Sequence, residues 1–597
     1  MNTLAKYEKY FYLILLIGFV VYFPIFFNGF VWDDFLYIVN NTQIHQLNIP
    51  VLFGPGLFNS ASFYRPLSSV YFALVYAISG QHALLYHVIQ LGLHILSTIL
   101  LFIFFIGFFD VSVAFFLSLV FLVHPINVES VAYIGASQSE LYFLPGILAL
   151  ILARSKIITN RRLIWIIVLL LLAIFTKETG FLFLFLVIVY RYVFVDKKIK
   201  IFLIAGISII VFYLLARLMV ANVGLGMGTF IAIAGLTFSQ RLLNIPLIIL
   251  YYVKIFFFPL ILGIWQQWVI TSPTIVYFLL PFVVCLLVIG LLVALILYCK
   301  KLPIVLTNIV KGKKQQVILR KDHQHFLQLL FFTFWLIIGM GIIIQLVPLD
   351  MTVADRWFYF PIVGLLGILG VCIQLVKKSF KIQSRLFLYG AILIICLLSV
   401  RTFIRTFDYK DNLTLFSHDL KSEPDNLMLR DTYILTLMND GENNEAFTNA
   451  KIGSTSTDNS YATRITDLNY LALLYEQKNE YPQAIQTFKR AIALLPYTTE
   501  RDLSTSFTRL LYVNLASLYL NTSDYPAAVA LIKNQGLIKF PKDSCLSAEL
   551  ETAQYDLGNS TQPQKETEMR NVQSNKQVNT GSMPSPEQLV KLCGFTQ

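Results

Sequence analysis

The sequence predicts an all-α protein in two parts: a polytopic transmembrane helical domain over residues 1–409 and an α-solenoid of paired helices over 410–559, with a largely disordered tail at 560–597. Three observations predict it. Apolar residues fall in runs of bilayer length up to about Arg405. From Asn412 onward no such run occurs, and the pattern turns charged and amphipathic. Residues 560–582 are rich in Gln, Asn, Ser and Thr, with too little apolar surface to offset the entropy of ordering them. At 57% hydrophobic and 13% charged residues, the chain lies far from a soluble average.

Lys6 and Lys9 precede an apolar segment from Tyr10 to Phe30 with no small-residue cleavage site behind it. It reads as a retained first span, not a removed signal. Further spans are expected near 84–108, 111–124, 140–153, 163–176, 180–195, 201–221, 275–299, 326–347, 357–376 and 384–404. An apolar stretch at 229–262, interrupted by Pro246 and Pro259, reads as a two-span hairpin, a re-entrant element or an interfacial helix. About eleven to thirteen crossings are expected in all.

Lys and Arg fix the orientation, because basic loops stay cytoplasmic. Five clusters, Lys6/Lys9, Arg154–Arg162, Arg191–Lys200, Lys300–Lys321 and Lys377–Arg385, hold 21 of the 29 basic residues before position 410. This orientation requires that 229–262 cross an even number of times. The other face then receives Asp33, Asp34, Glu129, Glu140, Glu178, Asp350, Asp355 and the C-terminal domain. Residues 410–597 carry 17 basic and 22 acidic side chains, so the formal charge of +12 arises in the membrane part. Topology accounts for it, and no nucleic-acid partner is implied. Few ionisable groups fall mid-span, which disfavours an ion-coupled transporter.

Six cysteines show no metal-ligand or CxxC spacing, and Cys285, Cys299, Cys372 and Cys396 lie in or beside spans. Only Cys545 and Cys593 are candidates for oxidising chemistry, and no disulfide framework is expected. No GxGxxG, Walker, Ser/His/Asp or HExxH pattern is present, so nucleotide binding is unsupported.

In the C-terminal domain, Leu468, Leu471, Ala472, Tyr475, Ala484, Phe488, Ala491 and Pro496 follow the spacing of a tetratricopeptide repeat, with small residues where paired helices approach. Ala516, Tyr519 and Ala528 repeat part of it downstream, and Ala446 precedes Ala484 by 38 residues. Such a solenoid presents a concave surface that captures a peptide or docks a partner.

On the outward face, Asp33 and Asp34 stand between Trp32 and Phe35. Two close carboxylates repel, which raises one pKa and gives either a base near neutrality or a divalent-metal site; a solvated turn is the bland alternative. Arg65, in Tyr64-Arg65-Pro66-Leu67, is suited to a lipid phosphate or to snorkelling. His124-Pro125 with Glu129 ends a span, with helix termination favoured over catalysis. Lys177-Glu178 forms a short turn, and Asp355-Arg356, with Tyr359 and Pro361, opens a later span. Singly, these read as local ion pairs. Together they suggest a site for an anionic headgroup.

With these residues in place, the chain resembles the transmembrane and tetratricopeptide-repeat O-mannosyltransferase family and its bacterial relatives, multi-span glycosyltransferases of the GT-C type, over nearly its whole length. The likeness rests on Trp32-Asp33-Asp34 with Asn40-Asn41, Tyr64-Arg65-Pro66-Leu67, Tyr86-His87, His94, His124-Pro125 with Glu129, Lys177-Glu178, Asp355-Arg356 with Tyr359-x-Pro361, and the trailing repeats. The resemblance implies an inverting enzyme that moves mannose or another hexose from a polyprenyl-phosphate carrier to a hydroxyl of a protein on the extracytoplasmic face of a bacterial plasma membrane. It implies Asp34, ahead of Asp33, as general base, and Lys177, Arg356 and Arg65 as holders of the carrier phosphate. His124, Glu129, Glu140, Glu178, Asp355 and Tyr359 would support them. The implied partners are the lipid-linked donor, a polypeptide acceptor on the repeats and membrane lipid. The one implied cofactor is a divalent cation at Asp33/Asp34.

Two departures stand out. Gln138 and Glu140 occupy the place of an Arg followed shortly by Asp, removing one cation, and Asp355 stands where Glu is more usual. The open alternatives are a surface-polysaccharide polymerase or ligase using a lipid-linked glycan, and a non-enzymatic repeat-bearing membrane scaffold.

Overall fold

The computed structural model describes residues 6–59, 63–195, 199–220, 233–301, 321–379, 384–455, 461–498 and 503–560, and every regular element among them is helical. The chain divides into two compact units, Met1–Glu423 and Pro424–Gln597.

The first unit is a bundle of apolar helices: α1 Glu8–Val21, α2 Pro66–Ser79, α3 Ala83–Phe105, α4 Val111–Val123, α5 Gln138–Ala153, α6 Asn160–Thr176, α7 Phe181–Tyr190, α8 Ile199–Leu215, α9 Phe238–Phe257, α10 Leu280–Lys301, α11 Lys321–Ile343, α12 Pro361–Ser379, α13 Ser384–Phe407 and α14 Asn412–Ser422. Among the described residues, nine stretches are long and apolar enough to cross a bilayer, which makes this a multi-pass membrane protein.

Three expected spans are shorter. The 10–29 segment splits into α1, of 14 residues, and a 3-10 turn, Phe23–Phe27, because Pro24 cannot continue the helical ladder. The 111–124 segment gives α4, of 13 residues, bent by 48° at His124-Pro125 into a short helix that ends at Ala132. Helix α6 has 17 residues, roughly 25 Å of rise against a hydrocarbon core of roughly 30 Å.

The two-span hairpin considered for 229–262 is absent from the described part of that stretch; residues 229–232 lie outside it. Residues 238–257 form one helix with Pro246 inside it, started by a capping box between Thr237 and Gln240. The non-helical segment that follows runs back along it. Gln266 donates to the Tyr251 hydroxyl at 3.0 Å, and Asn244 exchanges two hydrogen bonds with the backbone of Ile270 at 2.8 and 2.9 Å. Tyr252 bonds the Ala354 carbonyl at 3.0 Å, and the Phe256 carbonyl accepts from His124 at 2.9 Å. These bonds hold the helix against loop backbone, while by length and composition Phe238–Phe257 is also one of the nine stretches able to cross a bilayer.

At the opposite end of the bundle, basic residues gather on aromatic rings. Lys6 and Lys9 lie over Tyr7 and Tyr10, whose rings pack on Phe102. Arg154 covers Phe104 and Phe108, and Arg191 donates to the carbonyls of Ala153 and Ser155. Helices α11 and α12 approach through Gly364, where an added Cβ would come within 2.6 Å of the Leu336 amide nitrogen. Small residues serve this purpose between apolar helices.

The unit boundary falls at Glu423/Pro424 rather than 409/410. Asp411 caps α14 by accepting from the Thr414 amide at 2.8 Å. Asp419 on α14 pairs with Arg405 at 2.9 Å and accepts from the Ile264 amide, which binds this helix into the bundle.

The second unit contains α15 Leu427–Asn439, α16 Asn443–Thr455, α17 Tyr461–Gln477, α18 Tyr481–Leu494, α19 Thr505–Asn521, α20 Tyr525–Leu531 and α21 Ser544–Ser560. Its first six helices form three hairpins with one turn geometry. A left-handed residue follows the first helix of each, Gly441 (φ 80°), Asn479 (φ 59°) and Ser523 (φ 58°). The next amide then reaches back five residues: Glu442 to Leu437, Glu480 to Tyr475 and Asp524 to Tyr519, at 2.8 to 2.9 Å. Five residues after each left-handed position stands a fully buried alanine, Ala446, Ala484 or Ala528. Cys545 is buried and disulfide-bonded, while Cys285, Cys299, Cys372 and Cys396 form no disulfide. Cys593 and the tail from 561 lie outside the described residues.

Because α9 lies along one set of loops, single cysteines at Ser239 and Lys254 in a cysteine-free chain are expected to react with a membrane-impermeant thiol reagent from the same side of the membrane. Labelling from opposite sides would make α9 a crossing.

Candidate active site

The loop after the first apolar segment is held by Asp34. Its Oδ2 accepts from the Val31 amide at 2.9 Å and its Oδ1 from the Gly135 amide at 2.6 Å. This closes a tight turn and fastens it to the 3-10 turn Ile134–Ala136. Asp34 is 0% exposed, and burial, ahead of repulsion from Asp33, pushes its carboxyl well above the usual range against those amide bonds. Both oxygens are committed. Asp34 works as a latch.

Inside this turn Trp32 adopts φ 52°, a conformation that costs strain in an aromatic residue. Its amide donates to Asn412 at 2.7 Å, and its ring lies 5.4 Å from Tyr133 and 5.3 Å from Trp265. The two consecutive carboxylates have different surroundings. Asp33 is partly exposed, with Tyr133, Arg356 and Asp350 as its neighbours, and burial raises its pKa while Arg356 opposes the rise. It is the acid of the pair with a carboxylate open to a second reactant.

Two of the three expected phosphate-holding cations are already ion-paired. Arg65 donates through Nε to Glu178 at 2.7 Å and through a terminal nitrogen to Gln138 at 3.0 Å, and the Tyr64 amide fills the other Glu178 oxygen at 2.8 Å. Gln138 is therefore an acceptor for the arginine that remains. Arg356 pairs with buried Glu129 through its guanidinium and, at 2.8 Å, through its amide, and lies 3.8 Å from Asp350, which is 65% exposed. Burial works against the Arg356 charge, but Glu129 and Asp350 hold its pKa above the ordinary value.

Lys177 differs. It sits in the extended link between α6 and the 3-10 turn Glu178–Gly180 and forms no ion pair among the described residues. Burial, followed by repulsion from Arg65 and Arg356, lowers its pKa to about 7. An anion entering here would meet one unneutralised cation poised near neutrality.

The remaining predicted residues are placed elsewhere. His124 has both ring nitrogens occupied, accepting from the Ile126 amide at 3.2 Å and donating to the Phe256 carbonyl. Asp355 is buried and accepts from the Tyr251 hydroxyl at 2.7 Å; burial and then Glu129 push its carboxyl well up. Tyr359 lies inside the bundle, 2.9 Å from His94, as do Tyr86 and His87. Glu140 is fully buried, its carboxylate oxygens have no hydrogen-bond partner among the described residues, and Lys177 is the cation whose field reaches it.

Sequence reasoning missed Tyr37, Tyr133 and Trp265. Tyr37 shares Asp33, Arg65, Asp350 and Arg356 as electrostatic neighbours, and burial, then Asp33, raise its pKa to about 12. The run Trp265-Gln266-Gln267-Trp268, polar and aromatic within an apolar stretch, was the available signal for that loop. Each Asp34 oxygen accepts from one backbone amide, and no group of three or more His, Cys, Asp or Glu side chains gathers among the described residues.

The ammonium form of Lys177 prevails below about pH 7, so its reaction with an amine acylating reagent is expected to rise with a midpoint near pH 7. Exposed lysines titrate near ~10.4, and a Lys177 midpoint there, read by mass spectrometry of the modified peptide, would contradict the assigned environment. The chain matches no protein-family model, no curated protein and no solved structure.

Proposed function

We propose that the chain is an integral-membrane glycosyltransferase of the GT-C type, which moves mannose or another hexose from a polyprenyl-phosphate carrier to a hydroxyl of a protein acceptor on the extracytoplasmic face. The observation that carries this reading is the opposition of one open carboxylate, Asp33, and one unneutralised cation, Lys177, which share Arg356 and Asp350 as electrostatic neighbours.

Asp33, with its raised pKa, takes the proton from the acceptor hydroxyl as that oxygen bonds to the sugar C1. The C1–O bond to the carrier phosphate breaks on the opposite face, giving inversion. Negative charge grows on the leaving phosphate, where Lys177 stabilises it, assisted by the fields of Arg65 and Arg356. Ion-pairing to Glu178 and Glu129 fixes the two arginines in place before substrate arrives.

Several observations support the extracytoplasmic placement. Basic residues cluster at the far end of the bundle, as expected of cytoplasmic loops. The parity condition requires that α9, itself long and apolar enough to cross, lie along the loops it bonds to rather than span the bilayer. The disulfide at Cys545 suits an oxidising compartment. The three hairpins with one turn geometry and one buried-alanine position support the tetratricopeptide reading of the second unit, and with it a polypeptide acceptor.

Asp33→Asn is expected to reduce transfer from a polyprenyl-phosphate sugar by roughly 10²–10⁴-fold while leaving the melting temperature in detergent unchanged. Asp34→Asn should lower the melting temperature, because it breaks the latch. Full transfer by the Asp33 variant would remove that residue from the role of base.

A further inference from the structure

The second unit buries an acid without giving it a donor. Asp467, on α17, is 0% exposed, and neither of its carboxyl oxygens receives a hydrogen bond from a donor among the described residues. It points at α16. A Cβ added to Gly453 there would come within 2.2 Å of one oxygen and 2.4 Å of the other, so the glycine makes room for the carboxyl.

What Asp467 does meet is a second acid. Asp431, on α15, hydrogen-bonds to it, carboxyl to carboxyl. An ionised carboxyl only accepts, so this bond exists only while the pair holds a proton. Asp467 is closed off from solvent, but Asp431 is partly exposed, which gives that proton a way in and out. The neighbouring cation does not replace it. Arg430 faces both acids and Asp425, yet its terminal nitrogens donate to Asn449 on α16 at 2.9 Å and to the Pro424 carbonyl. Tyr470, on α17, also faces the pair and is a neutral phenol below about pH 10.

The three helices that meet here belong to two hairpins: α15 and α16 form the first, and α17 opens the second. Within the first, Tyr433 donates to Glu445 at 2.7 Å, independently of the acids. We propose that Asp431 and Asp467 form a proton-dependent clasp that docks the first hairpin of the second unit on the next, closed while the pair holds a proton and loosened when both acids ionise. Two ionised carboxylates in contact repel strongly where water is excluded. The proposal is independent of the glycosyltransferase reading, since it uses only contacts within the second unit. Separated aspartates release their protons near ~3.9, whereas burial, against the bond from Asp431 and the field of Arg430, raises Asp467 to about 7. Docking therefore takes up a proton between those values. The clasp is complete below them, weakens as pH rises through the window, and changes no further above about pH 7.

Hydrogen–deuterium exchange of the full-length chain in detergent, read by mass spectrometry over a pH series and corrected for intrinsic exchange, follows the clasp peptide by peptide. Protection of α15 and α16 is expected to fall by up to about tenfold per pH unit as pH rises towards neutrality, and then to level off. Asp431→Asn places an amide donor opposite Asp467, and Asp467→Asn places one opposite Asp431; either should leave protection nearly flat across the series. A wild-type profile without pH dependence would overturn the proposal whether or not a variant folds. So would a dependence that persists unchanged in both asparagine variants, or protection lost equally from all seven helices of the unit.

Discussion

The site depends on the latch formed by Asp34, whose two oxygens hold the amides of Val31 and Gly135. A buried carboxyl costs folding free energy unless its oxygens are filled, and here two backbone donors fill them. The latch forces the turn that puts Trp32 in the left-handed region, a strain on the order of 1–3 kcal/mol. The Asn412 bond to its amide and the rings of Tyr133 and Trp265 hold it there. Beside the buried Asp34, Asp33 stays partly exposed. Two adjacent residues of one type thus have different environments, and the proposed function gives Asp33 the chemical task.

A second constraint is the handling of charge next to a membrane. Buried ions are tolerated when paired and hydrogen-bonded, and Arg65–Glu178, Arg356–Glu129 and Arg405–Asp419 all obey this. Lys177 is the exception in the pocket, and its lowered pKa follows first from burial and then from its two guanidinium neighbours, against the weaker opposing pull of Asp350 and Glu178. In the proposed transfer an anionic substrate would supply what is missing: the pre-paired arginines would give a fixed positive field at little cost in reorganisation, and the lysine the charge that responds to binding.

Much of the architecture was legible in the sequence, because apolar run length and Lys/Arg placement follow directly from the bilayer. The buried alanines of the three helix hairpins were legible as well, at Ala446, Ala484 and Ala528, since close helix packing admits only small side chains. What could not be read were features set by tertiary contact. Pro24 shortens α1 by a local rule, but the position of α9 depends on Asn244, Tyr251 and Tyr252 meeting loops far away in sequence. The unit boundary moved past α14 because Asp419 finds Arg405. The division between Asp33 and Asp34 turns on which carboxylate meets the amides of Val31 and Gly135, which no periodicity encodes. His124, Asp355 and Tyr359 stand near site motifs in one dimension, and in three each is buried with internal hydrogen-bond partners.

The central claim is that this end of the bundle transfers sugar from a polyprenyl phosphate. The most direct measurement incubates the purified full-length chain with a panel of polyprenyl-phosphate hexoses of defined anomeric configuration and a Ser/Thr-containing peptide, and reads the glycopeptide by mass spectrometry and its linkage by NMR. Transfer from at least one donor, with inverted configuration at C1, is the predicted result. No glycopeptide from any donor, or a product with retained configuration, would contradict the account.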